Sequence, residues 1–251
     1  MKRVLAGPHA VIEALRSAPR NVEIVYVADG LKPAAAASIV EACRGAGVPC
    51  DQAPREALDL LARDLPHQGV VALSGDYPYA DLDAVLTRAR QEPEPMLVVL
   101  DQIQDPRNLG AILRSAHAFG AAGVIIPKDR AARVTAAAVR ASAGASELIR
   151  VALVTNLATC LARLKDEGFF VQGADAKAAN PVHGVSWRGP CVLVVGNEGK
   201  GLRRLTAERC DGLFSIPIAP GFDSLNVSVA AAIALYEAAR QRALPEDAPR
   251  G

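Results

Sequence analysis

The sequence predicts an α/β protein with two parts: a small N-terminal α/β unit and a larger C-terminal domain built on a parallel sheet. Three observations carry this. From residue 96 onward, strand-like and helix-like stretches alternate, the pattern of a parallel sheet with helices on both faces. Two of the strand-like stretches, 96–100 and 191–195, are unbroken apolar runs, as expected of strands buried on both sides. Between the two parts, residues 76–96 carry three prolines and the acids Asp76, Asp81, Asp83, Glu92 and Glu94 against Arg88 and Arg90, a change of composition that marks a boundary.

In the first part a helix is expected over 9–16 and a strand over the β-branched run 22–27. An alanine-rich helix follows Pro33 and stops near Gly45 or Gly47, where glycine supplies the left-handed turn. A short helix covers 55–61 and a strand 69–73. In the boundary stretch only 82–90 reads as helical. The second part reads as strand 96–100, helix 109–119, strand 123–126, helix 135–142, strand 148–151, helix 156–167 and strand 169–173. Strand 191–195, helix 202–210, strand 213–216 and a helix over 226–242 with apolar residues at the 3.6 period complete it. The expected domains are 1–75, a linker 76–95, a main domain 96–245 and a tail 246–251.

Composition excludes several classes. With 51% hydrophobic and 22% charged residues, the chain matches globular averages of roughly 45–50% and 25% rather than disorder. No uncharged apolar run approaches the ~18 residues of a membrane span. The apolar stretch at the N-terminus is too short for a signal peptide and Glu13 interrupts it, so a soluble cytoplasmic protein is expected. The five cysteines form no CxxC pair and the four histidines are scattered, so neither a metal site nor a disulfide framework is expected. The net charge of +1 offers no overall attraction for nucleic acid. Locally, however, residues 107–150 hold seven basic side chains against Asp129 and Glu147, and 200–209 hold four against Glu208. These read equally as anion-binding patches or as solvated helix faces.

Ligands of parallel sheets sit beyond the carboxyl ends of the strands, which directs attention to the loops after Leu100, Val195 and Ile216. The first, DQIQDPRNLGAILRS, makes Asn108 a plausible helix cap, with Arg107 at the helix mouth and Arg114 about 120° round the helix from Asn108. A helix start flanked by arginines suits a phosphate, but an ordinary capped helix explains the same residues. In the second, VGNEGKGL, three glycines allow close backbone approach to a ligand. Its spacing is neither the GxGxxG of dinucleotide folds nor the GxxxxGK[ST] of a P-loop. In the third, IPIAPGFDSLNVSVA, Ser224 and Asn226 are cap-type residues opening an apolar helix, or else parts of a loop wrapped round a ligand.

Taken together, DPRNLGAILRSAHAFG at 105–120, VVGNEGKGL at 194–202 and IPIAPGFDSLNVSVAAAIALYEA at 216–238 resemble, in order and spacing, the three motifs of the SpoU (TrmH) family of RNA ribose methyltransferases in the SPOUT superfamily. GPHAVIEAL at 7–15, HQGVVAL at 67–73, PKDRAA at 127–132 and RVALVTNLA at 150–158 are similar to the branch that modifies guanosine in bacterial large-subunit rRNA. The resemblance implies a C-terminal SPOUT domain with a deep trefoil knot, against the general rule that chains do not thread themselves. It also implies an L30e-like RNA-binding unit at the N-terminus and a homodimer. S-adenosylmethionine is the implied cofactor, touched largely through the backbone at Gly196, Ile216 and Leu225. Asn108, Arg114, Glu198, Ser224 and Asn226 match the family's functional polar positions, and Arg107, Lys128 and Arg130 are candidate RNA phosphate contacts. Asn197, Lys200 and the GFDS segment depart from the family's commoner residues at flanking positions.

The implied reaction methylates a ribose 2′-hydroxyl of large-subunit rRNA without a metal. Arg114 is the family's candidate base; arginine normally stays protonated, with a pKa above about 12, so it either passes a proton onward or stays charged and stabilises the developing alkoxide. The competing expectations are the same chemistry on tRNA or another rRNA site, an RNA-binding module without catalysis, and a nicotinamide dehydrogenase, which the missing GxGxxG disfavours.

Overall fold

The computed structural model describes residues 3–63, 65–221 and 224–243. The expected tail 246–251 and the Phe222–Asp223 pair of the third loop lie outside these residues. The chain forms two compact units, residues 1–78 with 133–148, and residues 79–132 with 149–251.

The first unit contains β1 (Arg3–Ala6), α1 (Pro8–Ser17), β2 (Val22–Ala28), α2 (Pro33–Ala46), β3 (Cys50–Ala53), α3 (Arg55–Ala62) and β4 (Val70–Ser74). Its sheet runs β1-β4-β2-β3, with β4 antiparallel to β1 and β2, and β2 parallel to β3. Pro8 opens α1 where its missing N–H costs nothing, and Gly47, at φ 67°, closes α2 while Val48 N–H reaches back to Cys43 O. Strands β1 and β3 are absent from the sequence reading. Both are four residues long, and β3 is a polar edge strand without alternation, so neither has a periodic signature.

The second unit contains α4 (Leu82–Ala89), β5 (Met96–Asp101), α5 (Pro106–Ala118) and β6 (Gly123–Pro127). The chain then forms α6 (Ala136–Ser142), which folds with the first unit, before β7 (Val151–Val154), α7 (Leu157–Asp166) and β8 (Phe170–Ala174). After these come β9 (Cys191–Gly196), α8 (Arg204–Ala207), β10 (Gly212–Phe214) and α9 (Val227–Ala243). The six strands run β10-β8-β9-β5-β6-β7, all parallel, as the apolar runs required. One core joins Val85, Leu86 and Ala89 of α4, Leu157, Leu161 and Leu164 of α7, and Leu97, Val99, Val192 and Val194 of the sheet. The alternate residues Val98, Leu100, Leu193 and Val195 are equally buried, so the sheet is covered on both faces; α5 and α9, packed on one another and against β9 and β6, cover the second.

Four expectations need correction. Helix α5 begins at Pro106, capped by Asp105, whose Oδ1 accepts Arg107 N–H at 2.8 Å; Asn108 lies inside the first turn and is not the cap. Strand β7 begins three residues later than expected, because 145–147 form a 3-10 turn and pairing to β6 starts only at Val151. Helix α8 is four residues, not nine, since the chain before it is held in a loop. The stretch read as a linker carries α4, which is part of the second unit's core.

Residues 133–148 join the first unit through a buried cluster. Arg3 makes two bonds to Glu147, at 2.6 and 3.2 Å, with both side chains almost fully buried. The Arg3 guanidinium also sits 5.1 Å from the Tyr77 ring centre, and Tyr77 Oη donates to Ser146 O at 2.6 Å. A buried charge is tolerated only when paired and hydrogen-bonded, and this one is both.

Candidate functional site

The three loops singled out in the sequence converge at the carboxyl end of the parallel sheet. Asn108, in the first turn of α5, donates from Nδ2 to Glu198 Oε1 at 2.7 Å. Asn226, just before α9, donates from Nδ2 to Asn108 Oδ1 at 3.1 Å. Asn226 Oδ1 in turn accepts from Ser228 N–H at 2.9 Å and from Ser228 Oγ at 2.6 Å. One chain of hydrogen bonds thus joins residues 90 and 118 positions apart in sequence. The Glu198 carboxylate orients the Asn108 amide: Nδ2 must face Glu198, which leaves Oδ1 to accept from Asn226.

The loop that carries Glu198 is tied down at both ends. Asn197 and Gly201 exchange backbone hydrogen bonds at 3.0 and 2.9 Å, closing a tight turn. Asn197 Nδ2 donates to Gln102 O at 3.0 Å, while its Oδ1 accepts Gly199 N–H. At the far end, Asp101, fully buried at the end of β5, accepts Arg203 N–H at 2.9 Å and Arg203 Nε at 2.6 Å. Gly196 is obligatory here, since a Cβ would collide with the backbone of Gly201 and Leu202.

Beside this loop lies a cavity of about 460 Å³. Gly196, Ile216 and Leu225, the expected cofactor contacts, all line it, as do Glu198 and Ser224. Ile216, Ile218, Leu225 and Val227 give it apolar walls, and Asp175, Lys177 and Glu198 place charges on its lining. Among the described residues, the backbone N–H groups of Ile216, Ile218 and Leu225 make no hydrogen bond. Orphan amides on an apolar slot offer donors to the edge of a flat heterocycle. Carboxylates suit a cationic sulfonium or amine, and Lys177 a carboxylate. The lining therefore fits S-adenosylmethionine, in volume and in donor set.

The remaining expected residues are more dispersed. Arg114 lies on the exposed part of α5 and makes no hydrogen bond or ion pair among the described residues. Ser224 lines the cavity but does not enter the Asn108–Glu198–Asn226 chain. Arg107 is exposed at the start of α5, and Lys128, Asp129 and Arg130 are exposed just beyond β6. Sequence reasoning missed Asp101, Asp175 and Lys177. The last two follow β8, so the rule that pointed to the other loops would have reached them had the loop after β8 been included.

The SpoU rRNA Methylase family model matches residues 95–236, and a model described as RNA 2′-O ribose methyltransferase substrate binding matches residues 4–80. A putative TrmH family tRNA/rRNA methyltransferase from Bacillus subtilis is 41% identical over 94% of each chain. A 23S rRNA (guanosine-2′-O-)-methyltransferase from Photobacterium profundum is 40% identical over 95% of this chain and 98% of its own. Among solved structures, the SpoU methyltransferase AviRb from Streptomyces viridochromogenes, in complex with the cofactor AdoMet, superposes with a TM-score of 0.81 at 26% identity. That match covers 96% of this chain and 90% of the other. A TrmH/SpoU tRNA modifying enzyme from A. aeolicus matches 63% of this chain and 84% of its own, with a TM-score of 0.55 at 29% identity.

Proposed function

The chain belongs to the SpoU rRNA methylase family, and from that premise we propose that it transfers a methyl group from S-adenosylmethionine to the ribose 2′-hydroxyl of a guanosine in large-subunit (23S) rRNA. The observation that carries this reading is the hydrogen-bond chain from Glu198 through Asn108 to Asn226, set beside a cavity whose lining suits the cofactor. The cofactor, when bound, supplies an activated methyl group on a sulfonium centre. The protein's part is to hold the two reactants in line and in a dry place, which carries a large share of such a barrier.

In this reading Gly196, Ile216 and Leu225 hold the cofactor, mainly through the backbone. Asn108 and Asn226 position the ribose, and Glu198 fixes the Asn108 amide for that task. Ser224 shapes the wall of the cavity. Arg114 is exposed, makes no hydrogen bond or ion pair among the described residues, and meets the incoming hydroxyl or its phosphate. Its guanidinium stabilises the alkoxide as the proton leaves to water, or gives one of its own protons to a substrate phosphate as it takes up the hydroxyl's. Arg107, Lys128 and Arg130 contact the RNA backbone.

The RNA class is supported by coverage. The rRNA enzyme from Photobacterium profundum spans 95% of this chain, and the tRNA modifying enzyme from A. aeolicus only 63%. Residues 1–78 with 133–148 then act as the substrate-binding unit, in accord with the family model over residues 4–80. We further infer a homodimer in the cytoplasm. Tyr236 on α9 is 57% exposed, edge-on to Phe119 at 6.0 Å, and Val229 is 46% exposed on the same helix, apolar surface that a second copy would bury. The trefoil knot belongs to the same reading and rests on membership of the family.

Transfer of labelled methyl from S-adenosylmethionine to protein-free large-subunit rRNA, with small-subunit rRNA and tRNA alongside, tests the proposal. The expected product is a single large-subunit guanosine whose 3′ linkage resists alkaline cleavage. Label on tRNA alone would overturn the substrate, and no label on any RNA would overturn the activity.

A further inference from the structure

A second cleft, of about 570 Å³, opens at the carboxyl ends of β5, β6 and β7, where parallel sheets bind ligands. The cofactor cavity does not use it. Its lining includes Gln102, Arg130, Asn156, Arg203, Arg204 and Leu205. Three features make it more than a surface dent.

The first is charge. Three arginines face one lining acid, Asp129. Arg130 makes no hydrogen bond or ion pair among the described residues. Among the described residues the Arg204 side chain pairs with Glu208, in an exposed i,i+4 pair at 2.6 Å, of a kind that contributes little and exchanges readily for a phosphate. Arg203 gives its Nε to Asp101 and keeps its terminal nitrogens.

The second is the start of α7. Asn156 caps it by accepting Thr159 N–H, while the backbone N–H groups of Leu157 and Ala158, which line the cleft, make no hydrogen bond among the described residues. The third is apolar. Leu205, between Arg204 and Thr206, is 59% exposed on the same lining and sets an apolar face beside the arginines, on which a flat group can lie.

The cleft also adjoins the reacting site. Gln102 lines it, and Gln102 O accepts the Asn197 amide that anchors the Glu198 loop. We propose that this cleft holds a nucleotide of the substrate RNA flanking the methylated one, its phosphate on Arg130, Arg204 and the first amides of α7, its base over Leu205. The inference rests on the reading that the protein methylates RNA.

The test uses the full-length protein with protein-free large-subunit rRNA in methyl transfer, and a labelled single-stranded oligoribonucleotide in anisotropy. Arg130→Ala/Arg204→Ala and Leu205→Ala are compared with wild type and with Arg88→Ala, which removes a charge from α4. The double variant is expected to raise KM for rRNA about tenfold, with kcat and S-adenosylmethionine affinity unchanged. It should flatten the slope of log affinity against log salt by about one, as loss of one or two phosphate contacts requires. Leu205→Ala is expected to weaken oligoribonucleotide binding without changing that slope, as loss of a stacking surface would. Unchanged KM and salt slope in the double variant, with wild type binding RNA, would overturn the cleft assignment alone. Failure of wild type to bind or methylate any RNA would overturn the underlying reading as well. An equal effect from Arg88→Ala would show general charge rather than this cleft.

Discussion

Asn108 and Glu198 are 90 residues apart and meet at 2.7 Å, the amide of one held by the carboxylate of the other. This contact joins the first turn of α5 to the loop after β9, and Asn226 extends it to α9. If the pair positions the ribose, Glu198→Gln should be the informative variant. It keeps the shape but removes the charge that orients Asn108. A fall in kcat of about tenfold to a hundredfold is expected, the scale seen when an orienting or transition-state hydrogen bond is lost. Thermal unfolding should move little because Glu198 is exposed and Asn108 is only partly buried. Steady-state methyl transfer with melting curves on the same samples checks both.

Asp101 is the buried anchor of the cofactor loop. Asp101→Asn leaves a hydrogen-bonding group in place but removes the charge that faces Arg203. Arg203 is about half exposed, so the cost is that of a hydrogen bond to a charged group rather than of a fully buried ion pair, ~2 kcal/mol. Chemical denaturation measures it. S-adenosylmethionine affinity, measured by calorimetry, should fall too, because residues 197–203 lose one of their two tethers.

Gly196→Ala tests the turn itself. The added methyl has no room against Gly201 and Leu202, so the loop must move. Loss of measurable cofactor binding is expected, with the parallel sheet still folded by circular dichroism. Wild-type affinity in this variant would contradict the tight packing of this turn.

The Arg3–Glu147 pair holds residues 133–148 in the first unit. Glu147→Gln leaves a buried guanidinium without its counter-charge, and a destabilisation of about 3–5 kcal/mol is expected. Hydrogen exchange should show lost protection at α6 and β1 before the six-stranded sheet.

Burial pushes the Cys160 thiol up to about 12, with Arg163 opposing. The sign follows from linkage. An unfolded thiol titrates near 8.5, so between that pH and 12 the folded state keeps a proton the unfolded chain has lost. The stabilisation is complete below about pH 8.5 and declines as pH rises toward 12. Native Cys160 should resist iodoacetamide at pH 8, and the alkaline loss of stability should be shallower in Cys160→Ala.

Much of this was legible in the sequence because buried parallel strands and long amphipathic helices leave strong local patterns. The apolar runs at 96–100 and 191–195 correspond to β5 and β9, and the expected C-terminal helix to α9, although its apolar residues are spread round the helix rather than gathered in one stripe. The three loops of the site carried glycine, cap and arginine signals, and their order carried the family. What stayed hidden is non-local. Nothing near Arg3 announces Glu147, and nothing near Asp101 announces Arg203, because such pairs are specified by the completed fold. Asp105 rather than Asn108 caps α5 because Pro106 fits the first helical position, a signal present in the sequence but outweighed by the more obvious asparagine. The four-residue strands β1 and β3 draw their stability from neighbours rather than from any pattern of their own.

The most direct test of the central claim is single-turnover methyl transfer to large-subunit rRNA by wild type and Arg114→Ala at saturating S-adenosylmethionine, with cofactor affinity measured on both. In the variant the chemical step is expected to slow by about two orders of magnitude or more, while cofactor affinity and melting temperature stay at wild-type values. Transfer by Arg114→Ala at the wild-type rate would contradict it, because the residue given the 2′-hydroxyl would then have no part in the reaction.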